Sequence, residues 1–180
     1  VNVNNGSITI NEINQTNINS IYAVGDVTGP PWLAHVASAQ GIIAAEHIAG
    51  ITPNPINYSN IPSCTYCYPE VGSIGLTEEK AIDAGYDVKV GRFFFKANGK
   101  SMATGETNGL LKLIFESKYG ELIGAHIVGS NATELIGELG IAISLEARWE
   151  DLASQIHAHP TLSEAIMEAS MDAFSSSIHQ

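Results

Sequence analysis

Alternating apolar and polar residues predict a group of short strands in the second part of the chain. The runs with this pattern cover 63–67, 71–76, 86–95, 109–116 and 121–128. Only a tight turn at Ser117–Gly120 separates the last two runs. Because parallel strands need a crossover of about a dozen residues or more, we expect the strands to pair antiparallel.

Apolar residues that recur every three or four positions predict helices around these strands. The predicted helices cover 33–48, a segment that begins at Thr77 and closes at Gly85, 131–146, and 161–174. Gly50 follows the first of them, which suits a helix C-terminus. Strands grouped together and helices grouped at the ends predict an α+β fold, an antiparallel β-sheet with helices packed on one face.

The first 55 residues do not continue the pattern of strands and helices seen in the second part of the chain. Residues 1–24 are expected to form short strands with a turn at Asn5–Gly6, and they end in the apolar run Ile21–Val24. Residues 51–62 contain three prolines and show no regular period. We therefore predict two domains, 1–55 and 56–180. Because the chain opens at a valine within ordered-looking sequence, we expect it to be a fragment of a longer protein.

Charge and hydropathy limit the possible partners. The chain has 8 Lys and Arg against 19 Asp and Glu, a net charge of −11, so nucleic acid is not an expected partner. No apolar run approaches the roughly 18 residues of a membrane span, so a membrane is not expected either. Residues 116–180 hold two bases against ten acids. This excess suits a basic protein partner, or it serves only solubility.

Two cysteines, Cys64 and Cys67, have the C-x-x-C spacing of a redox pair or half a zinc site. The residues around them predict a strand that runs into a turn, whereas a redox pair needs a helix N-terminus to lower the thiol pKa. No second C-x-x-C supplies further zinc ligands. We interpret both cysteines as buried thiols without a chemical role, and we predict no metal site.

The segment 157–164, H-A-H-P-T-L-S-E, is the strongest candidate for catalysis. Thr161 and Glu164 have the spacing of a capping box, which would start a helix and turn Glu164 back towards its N-terminus. His159 lies just before, so a carboxylate would stand beside an imidazole and make it a general acid/base. The alternative is a capping glutamate beside a surface histidine. His157 should point the other way, and we expect it to be structural.

A second candidate follows the run Ile21–Val24. Asp26 could accept hydrogen bonds from ligand hydroxyls, or it could simply form a turn. His35, near the start of the next helix, could contact the same ligand or be a polar residue of the helix start.

Three motifs together resemble the flavin-dependent pyridine-nucleotide disulfide oxidoreductases. I-Y-A-V-G-D at 21–26, with L-A-H at 33–35, is similar to their second flavin-binding signature. Y-C-Y-P-E-V-G-S-I-G-L-T-E at 66–78 resembles the opening of their dimerisation domain, with Cys67 where the family usually has Thr. Residues 157–165 are similar to the C-terminal active-site motif, in the form typical of the branch that oxidises dihydrolipoamide.

The resemblance implies roles for particular residues. Residues 1–55 would be the C-terminal end of an FAD-binding domain, and 56–180 the dimerisation domain. Asp26 would bond the ribityl chain of the flavin, and the residues that would line the flavin site are Leu33, Ala34 and His35. His159 would take a proton from the dithiol substrate, oriented by Glu164, in the active site of the other subunit of a homodimer.

The resemblance also implies partners and cofactors of the full-length parent. These are FAD, NAD, dihydrolipoamide and, for the acidic segment, a basic subunit-binding domain of a lipoyl acyltransferase. The redox cysteine pair would lie upstream, so we expect the chain alone to be inactive and to bind neither cofactor tightly. The expected location is the bacterial cytoplasm, or the mitochondrial matrix in a eukaryote. The alternatives are a pure dimerisation module, or a parent of the glutathione-type or mercuric reductase class.

Overall fold

A computed structural model describes residues 1–179. The chain divides into two compact units, Val1–Tyr58 and a second unit that begins at Ser59. Within the described residues, no helix is both long enough and apolar enough to cross a membrane.

The first unit is built around one long helix. Its elements are the strands β1 (Val3–Asn4) and β2 (Ser7–Ile8), a 3₁₀ helix at Gly25–Thr28, and the helix α1 (Ala34–Ile48). β1 and β2 pair antiparallel around the predicted Asn5–Gly6 turn. Both turn residues have positive φ, 48° and 84°, which is the conformation that tight hairpins require.

The strand expected at Ile21–Val24 does not form. Its only bridge among the described residues is an isolated pair between Gln15 and Tyr22. The preceding polar segment instead forms turns, since the side chain of Asn11 accepts hydrogen bonds from the backbone of Ile13 and Gln15. The apolar run therefore follows a turn-rich segment and has no neighbouring strand.

The second unit contains five strands and five α-helices among its described residues. Its elements are β3 (Ser63–Thr65), β4 (Glu70–Gly75), α2 (Glu78–Asp83), β5 (Val88–Phe94), α3 (Gly99–Thr104), β6 (Leu110–Glu116), β7 (Leu122–Gly129), α4 (Ala132–Ser144), α5 (Trp149–Ser154) and α6 (Glu164–Asp172). The strands form one five-stranded sheet in the order β3-β4-β7-β6-β5, with every neighbouring pair antiparallel. The predicted α+β class is confirmed.

One face of the sheet carries both long helices of this unit. Gly72 of β4 and Gly91 of β5 lie on this face, in rows of the sheet two residues apart. Gly72 is aligned with Ile127, and Gly91 is aligned with Leu113. A Cβ atom at Gly72 would come within 2.6 Å of the Ala132 carbonyl oxygen of α4. A Cβ at Gly91 would overlap backbone atoms of α6. The glycines therefore let both helices lie directly on the sheet, as the predicted one-sided packing requires.

Two short helices, α3 and α5, were not predicted. Each has six residues, which is too short for an apolar period to show. Their ends do carry local signals: the Asn98 side chain accepts the backbone N–H of Ser101, and Gly105 closes α3 with φ 77°. At the start of α5, the backbone N–H of Arg148 donates to the carboxylate of Asp151.

The contact between β5 and α6 yields a stability prediction. We expect Gly91→Ala to lower the free energy of unfolding by at least about 2 kcal/mol, because the new methyl group would overlap the backbone of α6. Urea unfolding of the 180-residue chain measures this loss. Gly137→Ala in α4 is the matched control, since nothing apart from its chain neighbours and the backbone of its own helix lies within 4 Å of its Cβ position. The control should be neutral or stabilising, and an equal loss in both variants would contradict the close-contact argument.

Candidate active site

Helix α6 places the candidate carboxylate. Its buried residues are Ala165, Ile166, Glu168, Ala169 and Ser170, and they pack it against the sheet. Glu164 is the first helical residue, so its position is set by the packing of the helix that follows it. Its side chain is 22% exposed.

The structure brings Glu164 into contact with His159. The Oε1 atom of Glu164 lies 2.9 Å from Nδ1 of the imidazole, and Oε2 accepts the backbone N–H of Thr161 at 2.9 Å. The Thr161 hydroxyl donates to the carbonyl of Ala158 at 2.7 Å, which closes the turn around a cis Pro160. The imidazole therefore stands on a hydrogen-bonded turn with a carboxylate on one ring nitrogen.

This arrangement gives the two ring nitrogens of His159 different tasks. A carboxylate on Nδ1 favours the tautomer that carries its hydrogen there, so the lone pair lies on Nε2. The His159 side chain is 75% exposed. Nε2 can therefore accept a proton from a molecule that arrives from outside, while Glu164 balances the charge that forms on the ring.

Only half of the predicted capping box is present. Glu164 reaches back to the N–H of Thr161, as the spacing indicated. The helix begins at Glu164, however, and its N-cap is Ser163, which makes no side-chain capping bond. The expected start at Thr161 is wrong, because the Thr161 hydroxyl donates to Ala158 and is drawn into the preceding turn.

The surroundings of Glu164 act on its carboxyl pKa in opposite directions. Burial raises the pKa, whereas the N–H of Thr161 and the imidazole of His159 lower it. The net effect is a pKa below the usual value. The carboxylate is therefore ionised whenever His159 has to accept a proton near neutral pH.

His157 lies apart from this pair. Its Nε2 atom is 2.9 Å from Oε1 of Glu138 on α4, and its side chain is only 6% exposed. This contact ties the segment before His159 to α4. The geometry suits the structural role expected for His157.

Sequence reasoning missed a second carboxylate beside the pair. Glu168 is buried, and its Oε2 accepts the backbone N–H groups of Ile178 and His179 at 3.1 Å. Its Oε1 lies 2.6 Å from Nδ1 of His179. His159, Glu164, Glu168 and His179 line one cavity of about 260 Å³. The sequence did offer one signal for Glu168: it lies four residues after Glu164, a spacing that places both on the same face of a helix.

The flavin candidates lie in the first unit. Asp26 is exposed on the 3₁₀ turn, and Gly25 before it has φ 79°. A Cβ at Gly25 would contact Ala37 at 3.4 Å, so this turn lies against α1.

The other flavin candidates lie at the start of α1. Ala34 and His35 are exposed there, and Leu33 is half-buried and makes no side-chain capping bond. An exposed carboxylate beside the start of a helix suits a ligand rich in hydroxyl groups, such as a ribityl chain.

The expectation of two buried thiols is wrong for Cys67. It is exposed in the connection between β3 and β4, where Sγ lies 3.0 Å from the carbonyl of Pro69. Cys64 is half-buried against the core, and burial together with Glu70 and Glu134 raises its thiol pKa. Neither position lies at the start of a helix. In residues 1–179, no group of three or more His, Cys, Asp or Glu could hold a metal ion.

Comparison with protein families agrees with this architecture. Residues 61–170 match the dimerisation domain of pyridine nucleotide-disulphide oxidoreductases, and residues 1–41 match the model named pyridine nucleotide-disulphide oxidoreductase. The chain belongs to the pyridine nucleotide-disulphide oxidoreductase family. The resemblance of the three motifs is confirmed.

The curated proteins that the chain resembles include dihydrolipoyl dehydrogenases of two bacteria. The chain is 48% identical over 176 residues to the dihydrolipoyl dehydrogenase of Rhizobium etli, and 45% identical over 175 residues to that of Bacillus subtilis. Each alignment covers 97% of this chain but only 36% and 37% of the relative. The chain thus spans little more than a third of the length of these relatives.

Solved structures have the same fold. LpdA from Mycobacterium tuberculosis matches with a TM-score of 0.85 at 27% identity, over 91% of this chain and 36% of that one. The HOCl-induced flavoprotein disulfide reductase RclA from Escherichia coli matches with a TM-score of 0.89 at 24% identity, over 94% of this chain and 40% of that one. The second likeness supports the fold alone.

The lowered pKa of Glu164 predicts a pH-dependent contribution to stability. Because the folded pKa lies below the ordinary value of 4.5, this contribution is complete above about pH 4.5 and is lost as the pH falls through the folded pKa. Glu164→Gln should therefore lower the free energy of unfolding at pH 7 and differ less from the parent chain at pH 3.

Urea unfolding of both proteins at each pH measures this difference. Glu134→Gln is the matched control, since Glu134 also lies in the first turn of a helix but is exposed. A loss for Glu164→Gln that is equally large at both pH values would show that the ionised carboxylate is not the source.

Proposed function

We propose that this chain forms one part of a dihydrolipoyl dehydrogenase, an enzyme that oxidises dihydrolipoamide with NAD by way of FAD. The observation that carries the proposal is the contact between Nδ1 of His159 and Glu164, with Nε2 exposed. The 45–48% identity to dihydrolipoyl dehydrogenases supports the choice of substrate within the family.

The chemistry of a dithiol substrate explains why such a pair is needed. A thiol attacks a disulfide only as the thiolate, and a free thiol has a pKa of about 8.5, so few are ionised at pH 7. In the proposed step, Nε2 of His159 takes the S–H proton as the thiolate forms. Glu164 holds the ring through Nδ1–H and stabilises the imidazolium. The thiolate attacks the redox disulfide that we propose lies upstream of this chain, so that a mixed disulfide forms as the old S–S bond breaks. One cysteine leaves as a thiolate, and the imidazolium can give it the proton.

Asp26 and the start of α1 are proposed as the flavin contacts of this chain. FAD, when bound, supplies the electron acceptor between the dithiol and NAD. The Asp26 carboxylate would accept hydrogen bonds from ribityl hydroxyls, with Leu33, Ala34 and His35 beside it. The chain has no G-x-G-x-x-G to bind a pyrophosphate. We therefore propose that the 180 residues alone bind neither FAD nor NAD tightly and do not turn over.

Dimerisation is the second part of the proposal. Ile141 and Leu145 lie one turn apart on α4 and at its end, and their exposed fractions are 64% and 74%. Ile156 is 91% exposed. A surface of large apolar side chains on a domain of the dimerisation type suits a second copy of the chain. In such a homodimer, His159 of one subunit would serve the active site of the other.

The acidic segment 116–180 is proposed to bind the basic subunit-binding domain of a lipoyl acyltransferase. Charge complementarity of this kind mainly raises the association rate and is weakened by salt. Since the relatives named above are bacterial, we propose that the parent enzyme is cytoplasmic.

The acid/base role is tested in a chimera in which this chain replaces the matching segment of the Rhizobium etli enzyme. We expect His159→Gln to lower turnover with dihydrolipoamide by a factor on the order of 10²–10⁴, because a positioned base contributes about this much. Flavin content and melting temperature should change little. Stopped-flow reduction of the flavin by dihydrolipoamide measures the affected step.

His157→Gln is the matched control, since it changes the neighbouring histidine whose ring contacts Glu138 instead. Its effect on turnover should be mild. If His157→Gln proves the more damaging of the two, the assignment of the acid/base to His159 is wrong. Glu164→Gln should lie between them, because the amide can still hold the ring without its charge.

The dimer is tested on the 180-residue chain itself. Light scattering at micromolar concentration should give twice the monomer mass, and the double variant Ile141→Ser, Leu145→Ser should give the monomer mass. Ile82→Ser is the control, because Ile82 is also an exposed apolar residue, on α2. A monomeric parent chain would refute dimerisation through these residues.

A further inference from the structure

The buried side chain of Gln40 lies in the middle of α1 and contacts other segments of the first unit. Its Oε1 atom accepts the backbone N–H of Gly25 at 2.7 Å. Its Nε2 group donates to the hydroxyl of Tyr58 at 3.0 Å and to that of Thr28 at 3.4 Å. The amide thus uses both its acceptor and its donor end.

These bonds act on the turn that carries Asp26. Gln40 holds the N–H of Gly25 directly. The Thr28 hydroxyl, which accepts from Gln40, donates to the carbonyl of Gly25 at 2.8 Å. The N–H and the carbonyl of Gly25 are therefore both hydrogen-bonded, while Asp26, the next residue, is exposed.

The backbone of Gln40 holds the segment that leads into this turn. Its carbonyl accepts the side-chain amide of Asn14 at 3.1 Å. The carbonyl of Asn14 in turn accepts the N–H of Ala23 at 3.0 Å. The chain on the N-terminal side of Gly25 is therefore also fastened to α1 at Gln40.

Packing alone does not account for a glutamine at this position. Gln40 is 3% exposed, and the other buried residues of α1 are Val36, Ile43 and Ala44. An amide buried among apolar side chains costs free energy unless its hydrogen bonds are made. Here the side-chain bonds are directed at the Asp26 turn and at Tyr58.

We propose that Gln40 is a positioning residue for the flavin. It holds the Gly25–Thr28 turn in the geometry in which the Asp26 carboxylate meets ribityl hydroxyls. This inference rests on the proposed function, since it needs FAD to bind at Asp26. Gln40 is buried and acts through the turn, so it sets the affinity for FAD and not the proton transfer at His159.

The experiment compares variants of the Rhizobium etli chimera. The apoprotein is titrated with FAD, and flavin fluorescence gives the Kd. Gln40→Met removes the acceptor for the Gly25 N–H and should raise the Kd about tenfold, the ratio expected for a lost hydrogen bond. Gln40→Glu keeps that acceptor, and the Tyr58 hydroxyl can rotate to donate to it, while the Thr28 hydroxyl stays on the Gly25 carbonyl. It should therefore restore the Kd to within about threefold of the parent value.

Two further measurements distinguish the positioning of the Gly25–Thr28 turn by Gln40 from a general destabilisation of the first unit. Tyr58→Phe removes one partner of Gln40 but leaves Gly25 bound, so its Kd should stay near the parent value. In the 180-residue chain, amide hydrogen exchange at Gly25 should speed up in Gln40→Met and not in Gln40→Glu. If Gln40→Met does not fold, Gln40→Asn, whose shorter side chain cannot reach Gly25, takes its place.

The outcomes bear on different conclusions. A parent chimera that binds no FAD overturns the proposed function. A parent that binds FAD, with Gln40→Met or Gln40→Asn binding it equally well, overturns the role of Gln40 alone. Equal losses in Tyr58→Phe and Gln40→Met also overturn it, because they would reflect loosening of the whole unit.

Discussion

The close approach of helix α6 to the sheet is the constraint on which the rest of the second unit depends. A side chain at Gly91 would overlap the backbone of α6, so a glycine is needed there for the helix to lie this close to the sheet. Glu164 is the first residue of that helix. The position of the Glu164 carboxylate is thus set by the packing of the C-terminal half of α6 against β5. The carboxylate in turn contacts the imidazole of His159.

Both candidate sites hold an exposed group by means of less exposed polar contacts. His159 and Asp26 are both exposed, so close packing does not fix them. Glu164 divides its two oxygens between the imidazole and the turn before the helix. Gln40 holds the turn before Asp26 with its side-chain oxygen. A polar group on a helix can fix an exposed neighbour because hydrogen bonds are directional and the helix is rigid.

Much of this architecture follows from local sequence signals. Alternation and helical periods identify the strands of the antiparallel sheet, α1 and α4. All of these except the three-residue β3 are long enough to repeat their pattern. The proximity of Glu164 to His159 was also readable, because the two are five residues apart on opposite sides of a turn. Asn5–Gly6 marked its hairpin by the positive φ that both residues tolerate.

Tertiary structure decided what depends on distant segments. The apolar run Ile21–Val24 has the composition of a strand but finds no neighbouring strand, because pairing requires a second edge that the local sequence cannot specify. Glu168 reaches the tail at His179, and Gln40 reaches Tyr58, only after the chain has folded back. The sequence alone determined the longer elements of the second unit, α1 and the candidate groups. Long-range contacts determined which buried polar residues hold those groups, since a hydrogen bond between distant residues leaves no period along the chain.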